Sequence, residues 1–84
     1  MNKTDLRNKI DVIDKQIALL LKERFDIVKQ IGEYKKENNL PITCKEREAE
    51  VIKNVTKEFE ENSQINAVKS IYESVIRECT NLQK

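Results

Sequence analysis

An all-α fold of three helices, with a first helix so long that it needs the surface of a second chain, is what this 84-residue sequence predicts. Three observations carry that expectation. Apolar residues recur in steps of three and four through three successive segments, with no alternating strand pattern to compete. The chain has one Gly, one Pro and no Trp, with 38% apolar and 37% charged residues, the composition of a helix-rich globular protein. The first periodic segment is also longer than a compact chain of this size can cover.

The first helix is expected over roughly 5–37. Leu6, Ile10, Ile13, Ile17, Leu20, Ile27, Ile31 and Tyr34 form one stripe along it, with Arg24 filling the gap between Leu20 and Ile27. Thr4 is placed to cap its start and Asp5 to sit in the positive first turn, while Asn38, Asn39 and Pro41 end it. About 33 residues at 1.5 Å each give roughly 50 Å. A compact chain of this length has a radius of gyration of about 12 Å and is about 30 Å across. The helix should therefore overhang its own fold and lie on a partner's surface.

A second helix is expected over roughly 44–61, where Thr43 and Glu46 have the spacing of a capping box and Ala49, Val51, Ile52, Val55 and Phe59 supply the apolar positions. Glu58, Glu60 and Glu61 then break the pattern. Asn62 or Ser63 can cap a third helix over roughly 64–83, which carries Ile65, Val68, Ile71, Tyr72, Val75, Ile76, Cys79 and Leu82. No linker, repeat or low-complexity tract divides the chain, so residues 1–84 read as a single domain. A single core of that size leaves little margin of stability, and a second chain would supply the missing burial.

Charge excludes several classes of function. Sixteen basic and fifteen acidic residues give a net charge of +1 and are interspersed along the chain, so no nucleic-acid or anionic-membrane partner is expected. Cys44 and Cys79 without any His are too few for a zinc site, and no metal is expected. The residues after Met1 contain no apolar leader, and no apolar run approaches membrane-spanning length. These features point to a cytoplasmic protein with reduced thiols.

The polar residues on apolar faces are the candidates for function. A guanidinium on the apolar stripe needs an anion, so Arg24 is either paired with Glu23 or another acidic residue, or bound to a ligand. Lys35 lies eleven residues later, about 20° from Arg24 around the helix and about 16 Å along it, where it either closes on the same small anion or is solvated at the helix end. Arg7 precedes Arg24 by seventeen residues, about 25 Å, and cannot share a small ligand with it inside one chain. Two antiparallel first helices would bring Arg7 of one copy toward Arg24 and Lys35 of the other; taken alone, Arg7 is a solvated first-turn residue. Glu48 suits the start of the second helix, whereas Arg47 opposes the helix dipole and needs another reason to be there. Gln83 shares an inward stripe with Cys79, Ile76 and Tyr72, and Cys79 by itself reads as a small core residue. Gly32 inside a helix costs about 1 kcal/mol relative to Ala, which implies close packing or room for something bound. No His, phosphate loop or activated nucleophile is present, so an enzyme of these parts would work by positioning and electrostatics.

The segments LRNKIDVID, LLKERFDIVKQIGEYK, LPITCKEREAEVI and IYESVIRECTNLQ resemble, in order and spacing, the all-helical (AroQ-type, type II) chorismate mutases over nearly the whole chain. That resemblance implies an intertwined helical homodimer, two chains interlaced through their long first helices, and a cofactor-free Claisen rearrangement of chorismate to prephenate, in phenylalanine and tyrosine biosynthesis. It implies that Arg24, with Arg7 from the other subunit, holds the two substrate carboxylates. Lys35 and Gln83 would donate to the ether oxygen, Arg47 would add positive charge near a carboxylate, and Glu48 would accept from the ring hydroxyl.

Two positions depart from the family's pattern. Cys44 stands where an Asp often lies beside the substrate hydroxyl, and Cys79 where a Ser can contact a carboxylate. Both remain in the expected binding set, and both bear on affinity more than on the reaction. Two other functions fit the same helices: an isochorismate pyruvate-lyase of the same fold, and a non-catalytic dimerisation or regulatory module. The second needs the apolar stripe but not the Arg, Lys and Gln set.

Overall fold

A computed structural model describes residues 2–84 as three α-helices, α1 (Lys3–Glu37), α2 (Lys45–Thr56) and α3 (Asn62–Gln83), with no strand among them. Helix α1 starts two residues before the expected position. Its cap is Asn2 and not Thr4: Asn2 is extended and its Oδ1 accepts from the Asp5 backbone N–H at 2.9 Å, which leaves Thr4 inside the first turn. At the far end Asn39 adopts φ 55°, a left-handed conformation that Asn tolerates. The Leu40 N–H then bonds back to the Lys35 carbonyl at 2.8 Å and the Asn39 N–H to that of Lys36 at 3.3 Å, a Schellman closure that stops the helix just before Pro41.

The Thr43–Glu46 capping box does not form. Cys44 is the N-cap of α2, without a side-chain cap bond, so Thr43 lies one residue too early for its hydroxyl to reach the expected N–H. Helix α2 also ends at Thr56, short of residue 61. The Thr56 hydroxyl donates back to the Ile52 and Lys53 carbonyls, and the acidic run at Glu58, Glu60 and Glu61 would oppose the negative end of a longer helix. Glu60 and Glu61 immediately precede α3, next to its positive end. Its N-cap is Glu61, without a side-chain cap bond, and not Asn62 or Ser63.

Helix α3 packs against both α1 and α2 and joins them. The part of α1 it covers is the C-terminal half, where Val28 is 7% exposed and Gly32 is buried, opposite Cys79 at 3%. Beyond that small core the apolar stripe of α1 is uncovered: Leu6, Ile10, Ile13, Ile17, Leu20, Ile27, Ile31 and Tyr34 are all exposed, Leu20 by 64%. The molecule measures 54 × 26 × 16 Å, with a radius of gyration of 15.9 Å. That exceeds the roughly 12 Å of a compact chain. Its accessible surface of 7029 Å² is also about 1,800 Å² more than a compact monomer of this mass exposes.

Candidate active site

Where α1, α2 and α3 converge they leave an open cleft of about 490 Å³. Helix α1 contributes Arg24 and Lys35, spaced as the helical repeat predicts, with Val28, Ile27 and Ile31 as apolar wall between and beside them. The connection to α2 adds Ile42 and Cys44, the first turns of α2 add Arg47, Glu48 and Val51, and α3 adds Ile76, Cys79, Thr80 and Gln83.

Lys35 is not solvated at the helix end. Its ammonium donates to the Ile42 carbonyl at 2.7 Å and to Gln83 Oε1 at 3.0 Å. An ammonium has three protons, so one remains for a ligand. The Gln83 Nε2 donates to the Cys79 carbonyl at 3.4 Å and likewise keeps one proton free. Gly32 makes this arrangement possible. A Cβ there would lie 3.1 Å from both Cα and Cβ of Gln83, so the missing side chain lets α1 and α3 approach and sets Gln83 beside Lys35.

Arg24 is half-buried, and among the described residues it pairs with no carboxylate, neither Glu23 nor any other. One Nη1 proton goes to Cys79 Sγ at 2.8 Å, and the guanidinium carbon lies over the Tyr72 ring, 6.0 Å from its centroid. The fork keeps most of its five donors, enough for a bidentate grip on a carboxylate. Cys79 is thus buried as the sequence suggested, yet its sulfur faces the site. Arg47 is exposed and ion-paired with Glu50 one turn on, which accounts for a cation at the positive end of α2; Glu48 is half-buried.

Of the residues named from sequence, Arg24, Lys35, Cys44, Arg47, Glu48, Cys79 and Gln83 line one cleft. Arg7 does not. It is exposed near the start of α1, on the overhanging half. The Ile42 carbonyl and Thr80 were not named. A backbone acceptor leaves no sequence signal, and Thr80 lies on α3 without a periodic irregularity to mark it. Ile27, Ile31, Val51 and Ile76 were legible only as packing positions, because an apolar wall has the same periodicity as a core.

The fold and cleft define an all-α protein with cations projecting into an apolar-walled site of small-molecule size. The chain belongs to the family described as chorismate mutase type II, whose model matches residues 6–84. It is 37% identical over 87 residues to a bifunctional chorismate mutase/prephenate dehydratase of Aquifex aeolicus, an alignment covering 95% of this chain and 23% of that protein. It is 42% identical over 57 residues to the T-protein of Enterobacter agglomerans, across 68% of this chain and 15% of the other. The chain therefore spans less than a quarter of the length of these relatives. A solved structure of a conserved hypothetical protein from Pyrococcus furiosus superposes with a TM-score of 0.80 at 35% identity, covering both chains completely.

Proposed function

We propose that the protein rearranges chorismate to prephenate within a homodimer, without a cofactor, in the cytoplasmic synthesis of phenylalanine and tyrosine. The observation that carries this reading is the pairing of Lys35 with Gln83 at one end of the cleft while Arg24, paired with no carboxylate among the described residues, stands at the other. The reaction breaks the ether C–O bond as a new C–C bond forms and transfers no proton. What it requires is a compact, chair-like substrate conformer and donors aimed at the ether oxygen as negative charge builds there. The spare protons of Lys35 and Gln83 supply those donors.

Arg24 holds one carboxylate. Arg7 of the partner subunit holds the other, because α1 is too long for Arg7 to reach the cleft of its own chain and its apolar stripe is exposed along the way. The surplus surface of about 1,800 Å² per chain has the size of one side of an obligate interface. Glu48 accepts from the ring hydroxyl with Cys44 beside it, Arg47 adds positive potential, and Cys79 lies next to the carboxylate that Arg24 holds. The free thiols of Cys44 and Cys79 suit a reducing compartment. No helix among the described residues is long and apolar enough to cross a membrane.

The test is to add chorismate to purified protein without metal or cofactor and identify the product. Saturable formation of prephenate supports the assignment. A folded dimer that leaves chorismate untouched removes it: release of pyruvate from isochorismate would then assign the lyase, and inertness toward both the non-catalytic module.

A further inference from the structure

Arg24 raises a physical question that substrate binding does not answer: what holds a half-buried guanidinium in place before any anion arrives. Arginines withdrawn from water are ordinarily fixed by a carboxylate, which also cancels their charge. Here the two contacts are the Cys79 sulfur at 2.8 Å and the face of Tyr72, with the guanidinium carbon 6.0 Å from the ring centroid. Both come from α3. Tyr72 and Cys79 are seven residues, or two turns, apart, so they lie on the same side of the helix about 10 Å from each other and can touch two sides of one side chain. Cys79 lines the cleft and Tyr72 is not among its lining residues, so a substrate in the cleft would meet the sulfur and not the ring.

We propose that Tyr72 is a positioning residue for the reaction, its ring face acting with the Cys79 sulfur to orient Arg24 while leaving its charge free for a substrate carboxylate. The inference rests on the mutase reading of the cleft. A ring face attracts a cation through its quadrupole without forming the closed ion pair that a substrate would have to displace. An acidic residue in place of the ring would hold Arg24 equally well and take away its use.

The test compares Tyr72→Phe, which keeps the ring, with Tyr72→Leu, which keeps only apolar volume. Both are read by steady-state kinetics with chorismate, by dimer content and thermal melting, and by the NMR shift of the Arg24 Hε proton, which the ring current displaces. Arg24 grips its carboxylate in ground state and transition state alike, so its disorder should raise KM and spare kcat. The expected result is a KM increase between about 3-fold and about 30-fold for Tyr72→Leu, with kcat within about 2-fold and the dimer intact. Tyr72→Phe restores both KM and the Arg24 Hε shift. Unchanged KM in Tyr72→Leu, equal damage from both variants, or a loss that follows the melting temperature would each overturn the proposal. Wild-type protein that turns over no chorismate would instead overturn the mutase reading. The Arg24 Hε shift still tests the clamp in that case, since its persistence in Tyr72→Leu refutes ring contact.

Discussion

Lys35 uses two of its three protons to hold itself between the Ile42 carbonyl and Gln83, and the third is what catalysis would use. Removing such a preorganised donor typically costs about 10²–10³ in rate. Lys35→Ala is therefore expected to lose at least that much kcat/KM while remaining a folded dimer, and near-wild-type turnover would contradict its role. Gln83 can donate because its amide keeps its protons at every working pH. Gln83→Glu would have to be protonated to do the same, and a carboxyl has an ordinary pKa of about 4.3. Its activity should rise as pH falls from 7 toward 5, whereas the wild type should show no such rise; parallel profiles would show that position 83 is not a donor. Chemically, Arg24 was legible from sequence as a cation on an apolar stripe, and so was its need for an anion. That sulfur and a ring face hold it was not legible, because neither contact leaves a mark on sequence periodicity.

Among the helices, the junction of α1 and α3 sets how Lys35 and Gln83 meet, and so how well they would be aligned as donors. Gly32→Ala removes a helix penalty of about 1 kcal/mol. It also places a methyl 3.1 Å from the Cα of Gln83, where backbone and not a flexible tip must yield. The expected outcome is a melting temperature changed by only a few degrees and a kcat reduced at least tenfold, because a donor displaced by a fraction of an ångström loses alignment with the ether oxygen. A variant with full activity would show that the close approach serves packing alone. The helix bounds shifted by two residues at the starts of α1 and α3 and by five at the end of α2, since caps depend on which backbone groups a side chain can reach. Asn2 won over Thr4, and the Thr43–Glu46 spacing lost to a start one residue later.

For the whole molecule, the uncovered stripe of α1 and the remote Arg7 lead to one experiment. If each site joins Arg24 of one chain to Arg7 of the other, Arg7→Ala and Arg24→Ala proteins, assayed at chorismate below the wild-type KM, should both be nearly inactive alone. Mixed and allowed to exchange, they should recover about a quarter of wild-type activity, since half the dimers are mixed and each mixed dimer has one intact site. No recovery after demonstrated exchange would mean that Arg7 does not act across the interface. Ile17→Glu sets a charge in the middle of the stripe and should yield monomers with lowered stability, seen in sedimentation and melting; an intact dimer would show that the stripe is not the contact surface.

Periodicity, composition and length determined three helices, their order and the excess length of the first, because a 3.6-residue repeat and a 1.5 Å rise are properties of the chain alone. The polar exceptions on those helices supplied most of the cleft's cations. Only the tertiary structure decided that Lys35 and Gln83 meet, that Gly32 lets them, and that Arg24 rests on Cys79 and Tyr72 and not on a carboxylate. The physical reason is that these contacts join residues forty or more positions apart. Their geometry depends on how closely two helices pack and at what rotation, which no repeat within a single helix encodes.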